Sequence, residues 1–416
     1  MPCDVPASMP SAMAVGGICP DGLSGQWKST RNVWRHSVNK KLIALAMAGT
    51  LSGAVCAQTN VTIYGNIDMG VMLRSGSSGG VHSHKTQTDF QSLASESHLG
   101  FRGVEDLGNG LKAIFDLQYV LTPDMNTGPG STYTAGAGLG RGHQYLGLTG
   151  GFGTVVAGQL DGIRYGLFGK YNPFGNSSVG NFSSMTTQYD RASNAVAYIS
   201  PSLNGFTLIL AHATNTQAAE GALCAIHAGL SCKGNNGDDR LFSIDLNYAK
   251  GPFSIDLNYE TTKAVGVSDS RLYVADLGVS YDFGVVKVGA LYDVIKGEAD
   301  SLIGGNVLGG ALDPGLGAGQ KYDKRNWFIG ATVPLGKAKL LAAYGHVSNR
   351  TLSKADASKW SVGARYALSK RTEFYMDYAA ISNDGNARYL MNPMGNSDGI
   401  LGAGVKGFDM GIKHSF

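Results

Sequence analysis

The amino-acid sequence predicts an all-β fold, a closed antiparallel barrel of sixteen strands that crosses a membrane. Three observations carry this. Segments of alternating apolar and polar residues recur from Val61 to Phe416, with the period of two that belongs to a strand. The connections between them alternate as well, one very short and the next mostly long and polar. Composition agrees: 60 of the 416 residues are Gly, only 16% are charged, and long helical patterns are absent.

The sixteen segments are, in order, 60–74, 97–105, 111–121, 142–149, 154–160, 194–200, 206–213, 240–248, 253–262, 271–281, 286–296, 324–333, 339–348, 359–367, 372–382 and 405–416. The plainest pair is the eighth and ninth, where the word FSIDLNY is written twice with AKGP between the copies. Phe242, Ile244, Leu246 and Tyr248 alternate with Ser243, Asp245 and Asn247, and the second copy repeats the pattern from Phe253 to Tyr259. Gly251 and Pro252 suit a tight reversal, so the copies form one hairpin. A turn of all four AKGP residues sets Tyr248 beside Phe253 with the apolar residues outward, and Asp245 opposite Asp256 on the water side. That acidic pair is an expected attraction point for cations.

The short connections EDLGNG, GGFG, SPSLNG, AKGP, DFGV, VPLGK and LSKRT belong to one rim, and Pro201, Pro252 and Pro334 all fall within them, where no ladder hydrogen bond is lost. An even strand number permits closure, and short periplasmic turns opposite long extracellular loops mark an outer-membrane barrel. The alternative is a soluble exported sandwich or β-helix. Aromatic placement separates the two: Phe242 and Tyr248, Phe253 and Tyr259, Tyr366, Phe374 and Tyr378 stand at segment ends, which suits two lipid interfaces. With no apolar helix of ~20 residues, only a closed sheet satisfies its backbone groups in lipid.

The chain start is organised differently. Lys40 and Lys41 precede the apolar run 42–48, and GAVCAQ then places small residues before Gln58, the order of a secretory signal peptide cleaved between Ala57 and Gln58. The expected division is a non-native upstream extension at 1–37, with translation starting at Val38, a signal peptide at 38–57 and the barrel at 58–416. Cleavage removes five basic and two acidic residues, which leaves 29 of each and a net charge of zero, so charge gives no reason to expect a nucleic-acid partner. Cys224 and Cys232 remain, eight apart in a polar stretch of an exported chain, and are expected to form a disulfide.

Several longer motifs are specific. VTIYGNIDMGV, HLGFRGVEDLGNGLKAIFDLQ, YLGLTGGFGTVVAGQ, RASNAVAYISPSLNGFT and the ending MGIKHSF resemble, in that order, the general-diffusion porins of Gram-negative bacteria, in particular the betaproteobacterial branch. The resemblance spans the expected barrel. It implies a homotrimer in the outer membrane, in contact with its lipid and lipopolysaccharide and inserted by the barrel-assembly machinery. It also implies passive passage of small hydrophilic solutes and ions, with no cofactor and no catalysis. Phe416 resembles the terminal aromatic read during assembly, with Phe408, Met410 and Ile412 alternating behind it.

In such porins the third long loop, here about 160–193, folds into the barrel and faces a ladder of wall arginines. A transverse field across that narrow opening selects among ions. Arg191 matches the family position for one such arginine. His98 stands where relatives usually carry arginine, and Gln159 replaces another, so one wall charge becomes pH-dependent and one is lost. Arg102, on the same strand face as His98, completes the wall candidates, and Asp161 and Arg164 join them from the loop's start. Relatives often carry a Glu after the proline of the loop, where this chain passes from Pro173 to Phe174. The expectation is an anion preference weaker than in arginine-rich relatives, rising on acidification.

Other chemistry has little support. GAGLGRG follows no buried strand and opens no helix, so it is not a nucleotide loop. His82 and His84 lack further ligands at metal spacing. A surface interaction protein, an adhesin or phage receptor built on the long loops, is the alternative function, and an outer-membrane hydrolase a more distant one.

Overall fold

The computed structural model describes residues 60–76, 87–91, 96–121, 123, 142–186, 191–214, 240–263, 271–298, 321–387, 389–391 and 404–416, all within one compact unit, Ala57–Phe416. The extension, the signal segment with Ala57 and Gln58, and the pair Cys224 and Cys232 lie outside the described residues.

The strands are β1 (Asn60–Ser75), β2 (Gln87–Gln91), β3 (His98–Gly108), β4 (Leu111–Val120), β5 (Gln144–Gly150), β6 (Gly153–Asp161), β7 (Arg191–Ile199), β8 (Phe206–Thr214) and β9 (Arg240–Lys250). They continue with β10 (Phe253–Lys263), β11 (Arg271–Asp282), β12 (Lys287–Glu298), β13 (Lys321–Leu335), β14 (Ala338–Asn349), β15 (Ala357–Ala367), β16 (Thr372–Asn383) and β17 (Lys406–Ser415). One helix, α1 (Ile163–Tyr171), and a 3₁₀ turn, Ser183–Met185, lie between β6 and β7.

All pairings are antiparallel between neighbours, and β17 closes the sheet on β1 from Asn66↔Ser415 to Ser75↔Lys406. Closure leaves no open edge to lipid. β2 and β3 lie on the same side of β1, β2 against Gly70–Arg74 and β3 against Asn60–Asn66, so together they fill one wall position. Seventeen strands thus build a sixteen-position wall. Beside the break between β2 and β3, Ser97 takes the place of a ladder residue: its Oγ accepts from Asp68 N at 2.9 Å and donates to Asp68 O at 3.1 Å. The sixteen predicted segments match the wall strands to within three residues at either end, and β2 is the piece that alternation did not disclose.

The repeated word forms the expected hairpin, but its register differs by two. Ile255 faces Tyr248, Leu257 faces Leu246, Asn258 faces Asp245 and Asp256 faces Asn247. The two aspartates therefore do not oppose one another. The reason is the turn, which uses only Gly251 and Pro252, with Gly251 at φ 59, while Ala249 and Lys250 stay in the strand. A two-residue loop with a left-handed Gly at its first position matches the right-handed strand twist better than a four-residue one. A shift of two preserves the faces, so the apolar residues of both copies still point outward.

The outer surface is an apolar belt bounded by rings. Ile63, Leu146, Leu257, Ile329 and Leu340 are exposed on it, with Phe242, Tyr259, Tyr273, Trp327 and Trp360 toward the long-loop end and Tyr281, Phe206, Tyr366 and Phe416 toward the short-turn end. Phe416 exchanges backbone hydrogen bonds with Gly65, 3.0 and 3.2 Å, which seats the last residue on β1.

Candidate functional site

After β6 the chain turns inward at Gly162, and α1 packs on the inner faces of β10, β11 and β12. Three groups pin it there. Arg164 donates from Nε to Asp276 (3.0 Å) and from Nη2 to Asp293 (2.8 Å). Lys170 reaches Asp256 at 2.6 Å, and the Tyr171 hydroxyl donates to the same carboxylate. The loop then runs across the wall to β17, where Val179 N donates to Asp409 at 2.7 Å, and folds back. On the return, Gly180 O accepts from Ser361, Asn181 O accepts from Lys359, and Thr186 donates to Asp293 at 3.1 Å.

Close approach depends on a row of inward glycines, one on each of β11 to β15 and one on β17. A Cβ at Gly278 or Gly289 would overlap Tyr171, at Gly330 Pro173, at Gly345 Phe182 and at Gly363 both Asp377 and Phe174, while at Gly407 it would overlap Met391 and press on Val179. The missing side chains make sockets for the loop's rings, which Phe168, Phe182 and Phe328 extend into a buried apolar cluster.

The loop's charge is the reverse of the expected pattern. Between β6 and β7 its charged residues are Arg164 and Lys170, both basic, and one carboxylate at its very end, Asp190. The wall beneath it carries the acids. Arg164, 1% exposed, is thus a pin rather than a charge presented to solutes. The acidic pair is likewise not an open cation spot: Asp245 and Asp256 are both buried, and Asp256 is occupied by Lys170, Tyr171 and Asn247.

On the opposite wall, around β1 and β3 to β7, stands a chain of paired charges. Arg191 binds Glu96 (2.5 Å) and Asp161 (3.1 Å), and its guanidinium lies over the Tyr165 ring. His143 holds Asp161 through Nδ1 at 2.9 Å and lies 3.5 Å from Asp116 through Nε2. Tyr64 donates to Asp116 at 2.6 Å, and Arg102 covers the Tyr64 ring. His98 stands beside this chain, its Nδ1 3.0 Å from Asn66 Nδ2 and 2.9 Å from Glu96 O. Burial opposes a charged His143, but the hydrogen bond and charge of Asp161 and the charge of Asp116 outweigh it. Together they hold its pKa above the usual histidine value, even against Arg191.

Of the residues picked from the sequence, Arg191, Asp161, His98 and Arg102 come together. Gln159 does not join them. It pairs with Gln144 in the row of Leu146 and Ala157, and its amide is spent on Gly142 O (2.5 Å) and Ser193 Oγ (3.1 Å). Sequence reasoning missed His143, Asp116, Glu96 and Tyr64. Period two counted back from Tyr145 places residue 143 on the inward face, and that signal was available.

A closed sheet with an apolar belt, aromatic rings at both edges and an inward loop facing a charged wall defines a transmembrane diffusion channel. The chain belongs to the Gram-negative porin family, whose family model, described as "Gram-negative porin", matches residues 43–386. An outer membrane porin protein of Bordetella pertussis is 28% identical over 91% of this chain and 100% of its own length. Outer membrane porin protein 32 of Delftia acidovorans is 27% identical over 91% and 100%. Among solved structures, an anion-selective porin from Comamonas acidovorans superposes with a TM-score of 0.67 at 23% identity, covering 86% of this chain and 100% of that one. OmpT of Vibrio cholerae in a trimer form gives 0.57 at 12%, covering 86% and 99%. The protein is an outer-membrane porin of a Gram-negative bacterium, and these matches lend no support to the adhesin or hydrolase alternatives.

Proposed function

We propose that this porin passes small hydrophilic solutes and ions with weak charge selectivity through an eyelet lined by Arg191, His143, Asp161, Asp116, Arg102 and His98. The observation that carries the reading is pairing. Arg191 and His143 each sit on two carboxylates, so among the described residues no unopposed arginine ladder faces the loop. Paired charges of both signs in a narrow opening orient polar solutes while cancelling most of the net field an ion meets. A homotrimer is part of this reading, supported by the trimer form of the Vibrio cholerae protein, and no cofactor or catalytic step is assigned. The test is the reversal potential of the purified protein in a planar bilayer across a salt gradient. A value near zero at neutral pH is expected, and a large potential of anion-selective sign overturns it.

A further inference from the structure

Asp245 is 2% exposed on the inner face of β9, and its Oδ1 accepts no hydrogen bond among the described residues. The donors beside it are committed elsewhere. Ser243 gives its hydroxyl to Glu260 at 3.1 Å, Asn247 gives its amide to Asp256 and Ile255 O, and Lys170 and Tyr171 both end on Asp256. Opposite Asp245 in the register stands Asn258 on β10, also buried. Its Nδ2 donates to Asp276 on β11 at 2.7 Å, so its Oδ1 turns the other way, toward β9, and that oxygen too is buried without a donor. Two acceptor oxygens thus face each other across a strand pair with no hydrogen between them. Such a pair is unfavourable unless something positive joins it.

Charge leads to the same place. The inner faces of β9 to β12 bury five carboxylates, Asp245, Asp256, Glu260, Asp276 and Asp293. The loop answers with two cations, Arg164 on Asp276 and Asp293 and Lys170 on Asp256. Neither forms an ion pair with Asp245, and the strongest charge acting on it is that of Asp256, its diagonal neighbour of like sign. A buried carboxylate without a counter-charge is strongly destabilising. Asp256 is not saturated either: Lys170 and Tyr171 sit on Oδ2 and Asn247 on Oδ1, which leaves Oδ1 one of the about four acceptor sites of a carboxylate.

We propose that Asp245, Asn258 and Asp256 bind one calcium ion behind the inward loop, through Oδ1 of each. Opposed residues on one face of a sheet have Cβ atoms about 5 Å apart, and calcium takes carboxylate and amide oxygens at about 2.4 Å. A single ion between Asp245 and Asn258 therefore meets both, with Asp256 reaching it from the diagonal. Oxygen ligands alone select a hard cation over the soft metals, and three protein oxygens in a buried pocket favour calcium over magnesium, which keeps most of its water. Both carboxylates are buried, so the ion is part of the wall and stays off the permeation path. It ties β9 to β10, on which α1 packs.

Native mass spectrometry of the detergent-solubilised protein, stripped with EGTA and titrated with calcium chloride, tests this. The wild type is expected to take one calcium per chain more than Asp245→Asn, at concentrations below about 1 mM. Asp282→Asn, exposed at the short-turn end, binds as the wild type does, and magnesium chloride at the same concentration does not fill the site. In single-channel recordings EGTA raises the open-channel noise of the wild type and calcium restores the quiet state, whereas Asp245→Asn responds to neither. Equal calcium uptake by wild type and Asp245→Asn overturns the proposal, as does equal uptake of magnesium. A wild type that binds no extra calcium overturns it in favour of a proton on Asp245. Where Asp245→Asn fails to assemble, Asn258→Leu, which removes the amide oxygen without changing charge, is expected to lose the same ion, and retention of the ion by that variant overturns the proposal.

Discussion

Arg164 Nη2 and Asp293 Oδ2 stand 2.8 Å apart, joining the inward loop to a strand 129 residues further along the chain. Both side chains are almost fully buried, and Asp276 completes the site at 3.0 Å. Removing one partner of a buried ion pair leaves uncompensated charge and costs roughly 3–5 kcal/mol. Arg164→Met is therefore expected to free the first turn of α1. Single-channel recordings check this: larger open-channel noise and frequent partial closures are expected, with Arg164→Lys intermediate. A quiet channel of unchanged conductance would remove the pin from the account.

The glycine sockets make a steric prediction. Gly278 admits the Tyr171 ring, and a valine there would drive the ring and the loop behind it away from β11. Gly278→Val should change the size cut-off for neutral sugars in liposome swelling, whereas Val279→Ala, one residue on and facing outward, should not. Equal permeability profiles for wild type and Gly278→Val would mean the loop is held by its ion pairs alone.

Asp256 separates the present site from the acidic spot expected at the repeated word. Because Lys170 and Tyr171 occupy it, Asp256→Asn is expected to leave the reversal potential within error and to raise channel noise. A clear drop in cation permeability without added noise would restore the open-spot reading.

The barrel wall was legible because a sheet with lipid on one side and water on the other enforces strict alternation, and sixteen strands of the wall obey it. β2 was not, because QTDFQ is five residues long within a polar stretch. The hairpin register went wrong by two because alternation defines faces, whereas turn length defines pairing. The site was only half legible. Arg191 follows from its family position, but Arg164 is composed with carboxylates 112 and 129 residues away, and no local spacing announces such partners. The inward glycines were a readable signal, since an inward Gly on five consecutive strands signals something packed inside.

His143 is expected to make the proposed eyelet pH-sensitive. With the imidazole charged, Arg102, Arg191 and His143 balance Glu96, Asp116 and Asp161 in formal charge; with it neutral, the group carries one net negative charge. Asp161 and Asp116 raise its pKa, so the ion pairing is complete below the usual histidine value and is lost as pH rises through the raised one. Cation preference is therefore expected to grow between about pH 5.5 and about pH 8.5, and to fade toward weak selectivity on acidification. The expectation first placed on His98 was an anion preference rising on acidification; the same sense of change is assigned here to His143. Reversal potentials at the two pH values measure it, and His143→Gln should hold the channel near its alkaline behaviour throughout. If His143→Gln keeps the full pH dependence while His98→Gln abolishes it, the assignment returns to His98.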